Sequence, residues 1–257
     1  MNTNRMIVGL MVTKNEANRY LASCLDWHRN LLDAIAVVDD TSDDGTGDVA
    51  RRYGAVVFTR PEGVGSFLEH EGRFRTYAMS ALEVLGVRDG DWVLALDADE
   101  FLVSNGEPAR ANLEEFIDAA EAEDKNAVSV MIPEVWEATT SPAQVLTEPK
   151  VRIDGWWNSN RAPRLWRYAR GAAAADKRMG CGSAPVYVSS STSWPAPAER
   201  LELLHYGYAT KEDRYLRYRR YTAMRNHGHN QSHIESIIRE PDLMAYARRY
   251  PHVYRGN

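Results

Sequence analysis

Leu94-Ala95-Leu96-Asp97-Ala98-Asp99-Glu100-Phe101 is an apolar run that meets three carboxylates within four residues. With Trp92 and Val93 ahead of it, the run reads as a buried strand ending in Asp-x-Asp. Two hard oxygen ligands held at one sheet edge suit a Mg²⁺ or Mn²⁺ ion that carries phosphate groups. Such ions keep open positions, so a protein needs to supply only one or two carboxylates. The same residues also suit a solvated turn or a helix cap. The chain before them decides between these readings.

That chain alternates strand and helix. Met6 to Val12 is a continuous apolar run, the pattern of a strand covered on both faces. Asn15 or Asn18 can cap the next helix, in which Tyr20, Leu21, Cys24, Leu25, His28 and Leu32 recur at helical spacing. Ile35 to Val38 is a second strand, ending in Asp39-Asp40-Thr41-Ser42-Asp43-Asp44-Gly45-Thr46. A helix follows from about Gly47 with Gly54 as its left-handed stop, then a strand over 55–58. A helix over 74–85, closed by Gly86, leads into the Trp92 strand. Strands separated by helices imply right-handed crossovers and a mainly parallel sheet. Ligands of such sheets bind outside the carboxyl ends of the strands. Polar clusters sit at three of those ends: Thr13 to Glu16, Asp39 to Asp44, and Asp97 to Glu100.

Val12-Thr13-Lys14-Asn15-Glu16-Ala17 resembles the opening motif of the family 2 glycosyltransferases. Val37 to Thr46 is similar to their V-V-D-D-G-S-x-D-G-T signature, and Leu96 to Phe101 to the metal motif of the branch with D-A-D-E-F. The resemblance implies a GT-A fold: a Rossmann-like, mainly parallel α/β sheet flanked by helices, with a C-terminal helical segment. It also implies a nucleotide-diphosphate sugar donor and Mn²⁺ or Mg²⁺ as cofactor. Thr41 stands where Gly is usual, so the turn must avoid a positive φ there or carry strain.

Carried over by position, the resemblance gives Asp40 the base or ribose of the donor, and gives Val12, Thr13 and Asn15 the lining of the nucleoside pocket. A carboxylate accepts from ribose hydroxyls or a pyrimidine N–H, which suits a nucleoside better than a phosphate. Asp40 equally suits an Asx-turn, and Glu16, placed in the same pocket, also suits the positive end of the following helix. Arg75, ahead of Arg73 by position, matches a diphosphate-binding arginine; a surface salt bridge is its other reading. The resemblance also implies Asp97 and Asp99 as the metal carboxylates, with Asp97 able to act through ribose or water.

Composition bounds the rest. The 257 residues carry 31 Lys plus Arg against 36 Asp plus Glu and contain two cysteines, too few for a disulfide framework. We expect one GT-A domain over 1–257: a nucleotide-sugar and metal-binding half at 1–104, an acceptor-side half at 105–210 and a basic helical tail at 211–257. No run approaches the roughly 20 apolar residues that span a bilayer, and Met1 to Arg5 lacks the apolar core of a signal peptide. The expectation is a soluble, cytoplasmic protein without a transmembrane segment.

Past Phe101, Leu113 to Ala122 reads as an acidic helix with a solvated face, and Ala127 to Ile132 as a strand. Trp136, Trp156, Trp157 and Trp166 then lie among Arg152, Arg161, Arg164 and Arg167. Arg152 to Trp157 and Ala162 to Arg167 resemble the acceptor side of the same branch. Aromatic faces suit sugar rings, although Trp166, in an alternating strand, reads as core. Trp156 and Trp157, if extended, point to opposite sides. Leu201 to Tyr208 is a strand ending in His205, and it resembles an H-Y-G segment whose His returns to the metal. A satisfied core histidine is the alternative. His227, His229, His233 and His252 read as surface or packing residues. From His205 onward ten basic residues face five acidic ones, so the tail is +5 and the remainder −10. A positive helix there could hold diphosphate, through Lys211 or Arg214, or simply balance an acidic body.

These features add up to a metal-dependent glycosyltransferase that moves a sugar to an acceptor hydroxyl, with inversion. The acceptor is left open among a glycan, a small metabolite, a protein and a modified nucleic-acid base. A general base must take the acceptor proton. The family's usual E-D motif is missing between the Arg-rich strand and His205, which leaves Asp154 and Asp176 as catalytic candidates. Two other readings stand beside this one: a nucleotidyltransferase of related fold, and an inactive relative that binds nucleotide sugar or glycan.

Overall fold

The computed structural model describes residues 5–104, 110–137, 149–158, 160–178, 182–198, 200–223 and 231–246. The side chains of Trp156 and Asn158, and Cys181, Met224, His227, His229 and His252, lie outside them.

The first half runs β1 (Ile7–Thr13), α1 (Leu21–His28), β2 (Ala34–Asp39), α2 (Thr46–Arg52), β3 (Val56–Thr59), α3 (Glu71–Val84), β4 (Trp92–Leu96) and β5 (Glu100–Val103). The second half runs α4 (Arg110–Ala122), β6 (Ala127–Met131), β7 (Val135–Glu137), β8 (Lys150–Arg152), β9 (Arg161–Arg167), β10 (Ser193–Pro195), β11 (Glu202–His205), α5 (Lys211–Ala223), α6 (Gln231–Ser236) and β12 (Leu243–Ala245).

Among the described residues the main sheet has the order β3-β2-β1-β4-β9-β6-β11-β5, with β10 on β6. The pairs β2–β3, β1–β2 and β1–β4 are parallel, as helical crossovers require. β9 enters antiparallel between β4 and β6, and β5 is antiparallel to β11, so the sheet is mixed on its C-terminal side. A second, three-stranded antiparallel sheet joins β12, β8 and β7.

Alternation along the strands explains the two-faced core. Ile7, Met11, Val37, Trp92 and Leu94 bury one way, against Leu21 and Leu25 of α1 and Leu113, Phe116 and Ile117 of α4. Val8, Leu10, Ala36, Val38 and Val93 bury the other way, against Phe74, Ala78 and Leu82 of α3. The α4 helix therefore buries an apolar stripe and is not simply a solvated face.

Some local expectations need correction. Neither Asn15 nor Asn18 caps α1, which starts at Leu21 after Tyr20 with no side-chain cap. Asn15 instead has φ 56° and bonds across to the next loop. Thr41 does take a positive φ, 54°, the strained option for a β-branched residue. Gly155–Asn158 forms a 3₁₀ turn, so Trp156 and Trp157 do not alternate as in a strand; Trp157 is buried. Trp166 is core, as read.

Candidate active site

Register brings the sequence clusters together. Thr13 pairs with Asp39 and Asp39 with Thr59, while Met11 pairs with Leu96. The carboxyl ends of β1, β2 and β4 thus open on one side, above a cleft of about 550 Å³. Its walls include Val12, Thr13, Asn15, Glu16, Asp40, Arg75, Asp97 and Asp99, and also Lys14, Arg19, Phe67, Arg217 and Arg220.

Asp40 is held rather than free. Its side chain is 2% exposed; Oδ1 accepts from Arg60 Nε at 2.6 Å and Oδ2 from the Phe67 N–H at 3.1 Å. Lys14 Nζ lies 3.9 Å from Oδ2 and donates to the Asp40 carbonyl at 3.0 Å. Asp40 therefore ties the loop after β3 to the carboxyl end of β2 at the cleft wall. Asp39 and Asp44 take the turn-stabilising roles, accepting from Ser42 and Thr46.

Glu16 lies half-buried at the cleft wall, with Oε1 3.1 Å from Arg19 and Oε2 buried without a hydrogen-bond partner. Burial pushes its carboxyl up to about 7 against the pull of Arg19. Arg75 donates through Nε to Glu71 Oε1 at 2.7 Å and lies over the Phe67 ring at 5.1 Å. It also lines the cleft.

Asp99, also on the cleft wall, meets His205. His205 Nε2 is 3.4 Å from Asp99 Oδ1, and Arg217 Nη2 is 3.2 Å from Asp99 Oδ2 and 3.5 Å from His205 Nε2. On its other edge His205 Nδ1 stands 2.5 Å from Glu134 Oε2. Burial by itself would lower the imidazole pKa; Glu134 and Asp99 outweigh it and hold the value well above the ordinary one. Burial likewise opposes ionisation of Asp99, and His205 and Arg217 reverse that, holding its carboxyl far below the usual range. Gly207 makes the arrangement possible: a Cβ there would overlap Arg217 Nη2 and come within 2.5 Å of His205 Nε2.

Asp97 points elsewhere. Its side chain is 37% exposed and its Oδ2 lies 3.7 Å from Arg164, whose Nη2 also contacts Glu100 Oε1 at 2.5 Å. Among the described residues no three His, Cys, Asp or Glu side chains cluster closely enough to hold an ion. The Asp99–His205 pair is still a workable donor set. Two ligands of one Mg²⁺-sized ion, each about 2.1 Å from it at a right angle, stand about 3.0 Å apart, close to the separation seen here. Carboxylate and imidazole are both suitable for Mn²⁺, with phosphate oxygens completing the sphere.

Asp154 and Asp176 are not among the residues lining the cleft. Asp154 receives both Arg152 Nε and Nη2, at 2.6 and 2.7 Å, and Arg152 holds its carboxyl below the usual range, which makes it a weak base. Asp176 has an 80% exposed side chain, 3.2 Å from His70 Nε2. Arg214 turns inward to the Trp136 and Tyr208 carbonyls. Arg217, Glu134, Arg60 and Arg164 were not singled out from sequence for these contacts. For Arg217, one turn beyond Arg214 on an amphipathic helix, helical periodicity after the H-Y-G segment was the available signal. For Glu134 there was none.

The family model for Glycosyl transferase family 2 matches residues 10–165. An uncharacterized glycosyltransferase of Rickettsia felis is 36% identical over 96 residues, covering 37% of this chain and 29% of that protein. One from Rickettsia prowazekii is 34% identical over 98 residues, covering 38% and 29%. The chain thus spans 29% of the length of these curated relatives. Among solved structures, mannosyl-3-phosphoglycerate synthase from Rubrobacter xylanophilus is 26% identical, with a TM-score of 0.35 over 51% of this chain and 40% of that one. Glucosyl-3-phosphoglycerate synthase from Mycobacterium tuberculosis, in complex with Mn²⁺, uridine-diphosphate and glucosyl-3-phosphoglycerate, is 21% identical, with a TM-score of 0.36 over 51% and 44%.

Proposed function

The chain belongs to glycosyl transferase family 2 and has its GT-A fold, and from that membership we propose that it moves a sugar from a nucleotide-diphosphate sugar to an acceptor hydroxyl with inversion, using Mn²⁺ or Mg²⁺. One observation carries this reading: Asp40, Asp97, Asp99 and the Asp99–His205 pair line or adjoin a single cleft at the carboxyl ends of β1, β2 and β4.

The nucleoside sits at the Asp40 end, between Val12, Thr13 and Asn15 on one side and the Phe67 loop on the other. Asp99 and His205 would hold the ion, with Asp97 reaching ribose or a water. When bound, the ion supplies positive charge to the leaving diphosphate. Arg217, Arg19 and Arg75 line the same cleft and offer guanidinium donors to phosphate oxygens. The acceptor oxygen bonds to the anomeric carbon from the face away from the diphosphate as the bond to the diphosphate oxygen breaks. The acceptor proton passes to a base, for which Asp154 and Asp176 would have to leave their present partners. The acceptor is a glycan, small metabolite, protein or modified base. No helix among the described residues is long and apolar enough to cross a membrane.

A thermal-shift series with UDP- and GDP-sugars, with Mn²⁺ or with EDTA, tests the reading. A donor present at about 100 times its dissociation constant adds roughly 2.7 kcal/mol of apparent stability. We expect one nucleotide class to raise the melting temperature only with the metal, and Asp99→Ala to lose that shift while melting normally without ligand. Equal shifts in EDTA, or an unaffected Asp99→Ala protein, would reject the metal-dependent reading.

A further inference from the structure

Glu134 is a buried carboxylate that the donor reading leaves without a task. It lies between β6 and β7, and its backbone forms an isolated parallel bridge with His205. The His205 N–H donates to the Pro133 carbonyl at 3.0 Å, and the Arg152 N–H donates to the Glu134 carbonyl at 3.0 Å. Both backbones are therefore fixed before the side chains meet. Glu134 Oε2 then stands 2.5 Å from His205 Nδ1, while Asn160 Nδ2 lies 3.4 Å from Oε1. A buried carboxylate costs several kcal/mol unless a partner compensates it.

The geometry on the other edge of the ring gives this contact its meaning. With Nδ1 facing Glu134, Nε2 is the nitrogen turned to Asp99, which lines the cleft, 3.4 Å from its Oδ1. The Tyr208 ring stands edge-on to the imidazole, with centroids 5.7 Å apart and planes at 81°, which limits rotation of the ring. Ligating histidines commonly give their second ring N–H to a carboxylate, which sets the tautomer and raises the basicity of the ligating nitrogen.

We propose that Glu134 is a positioning residue that fixes His205, through Nδ1, so that Nε2 and Asp99 Oδ1 present one joint binding edge to a divalent cation. This rests on the metal-dependent reading above. Glu134 touches neither the ion nor the substrate, and acts only through the ring.

Mn²⁺ binding to the resting protein, followed by the electron paramagnetic resonance signal of free Mn²⁺ with and without UDP, tests it without any turnover. We expect Glu134→Gln to weaken Mn²⁺ binding at least tenfold while its melting temperature stays close to wild type. His205→Ala should weaken binding as much or more, and the double variant should be no weaker than His205→Ala. If wild type binds Mn²⁺, His205→Ala is impaired and Glu134→Gln binds normally, the positioning role is wrong and the metal reading survives. If wild type binds no Mn²⁺ under either condition, both fall. Should Glu134→Gln fail to fold, Glu134→Asp retains the charge but withdraws it by one methylene. It should also bind Mn²⁺ more weakly, and wild-type affinity there would overturn the proposal.

Discussion

Asp40 shows how a single residue can serve a pocket without being open to it. Both of its oxygens already accept from the protein, one from Arg60 and one from the Phe67 N–H. Thr41 next to it takes a left-handed backbone angle, at a cost of about 1–2 kcal/mol for an ordinary L-residue, and Asn15 in the adjoining loop takes one that asparagine tolerates better. Cross-loop bonds compensate: the Asn15 N–H donates to Ser42 Oγ at 2.8 Å, and the Asp43 N–H donates to Asn15 Oδ1 at 3.2 Å. Strain collected at a ligand edge is a common mark of pre-organisation. If Asp40 shapes the nucleoside end by anchoring the Phe67 loop, then Asp40→Asn and Arg60→Ala should weaken nucleotide-diphosphate binding alike. Loss of a charge-assisted bond is worth roughly 1.5–3 kcal/mol, or about one to two decades. Isothermal calorimetry with UDP and GDP distinguishes the cases. An Arg60→Ala protein that binds as wild type while Asp40→Asn does not would mean that Asp40 acts on the nucleoside directly.

Elements differ in how much of them the sequence discloses. β1 to β4 and the helices between them were legible because each is declared locally, by an apolar run, a helical period and a glycine stop; β2 then pairs with β1 and β3 with β2, while β4 returns to the other side of β1. Asp97, Asp99 and Asp40 were placed near the cleft for the same reason: they end strands that the pattern had already located. β9 was not legible in this way. Its place between β4 and β6 depends on antiparallel pairing with strands far away in the chain. Helix α5 carries the same lesson into the site. Its charge suggested a cation near phosphate, yet Arg214 turns to backbone carbonyls and Arg217, one turn later, reaches Asp99 and His205. Arg217 also lies over the Tyr208 ring at 4.6 Å. If the proposed metal-dependent reading holds, a guanidinium in that position would compete with a divalent ion for the same carboxylate and would then be free to meet a donor diphosphate. Arg217→Met should therefore bind Mn²⁺ severalfold more tightly in the absence of nucleotide and bind UDP about tenfold more weakly in its presence. Weaker binding of both would make Arg217 a scaffold of the Asp99 edge instead.

At the scale of the whole molecule, the cleft depends on how firmly β5, which follows the Asp-x-Asp turn, is joined to the body. Beside the pairing of β5 with β11 and the Trp27 Nε1 donation to the Leu102 carbonyl at 2.8 Å, His28 at the end of α1 adds a further joint. It is fully buried, its Nδ1 is 2.8 Å from the Cys24 carbonyl, and its Nε2 accepts from the Leu102 N–H at 3.2 Å. Those partners define a neutral ring with the proton on Nδ1, and burial lowers its pKa to about 4. In the unfolded chain the value is about 6.5. Between pH 6.5 and 4 the unfolded state therefore binds the additional proton, and stability rises with pH across that window. The contribution is fully present above pH 6.5 and is lost as pH falls towards 4, by about 3 kcal/mol at 1.36 kcal/mol per unit. Glu16 and Glu100, whose folded pKa values are raised to about 7, contribute with the opposite sign, so the wild-type profile alone would mix these effects. The difference between wild type and His28→Gln separates them, because every other group cancels. Urea unfolding from pH 7.5 to 4 should show wild type more stable than His28→Gln at neutral pH, with the gap narrowing through the acid window. Parallel stability curves for the two proteins would mean that His28 does not hold β5 as a neutral ring.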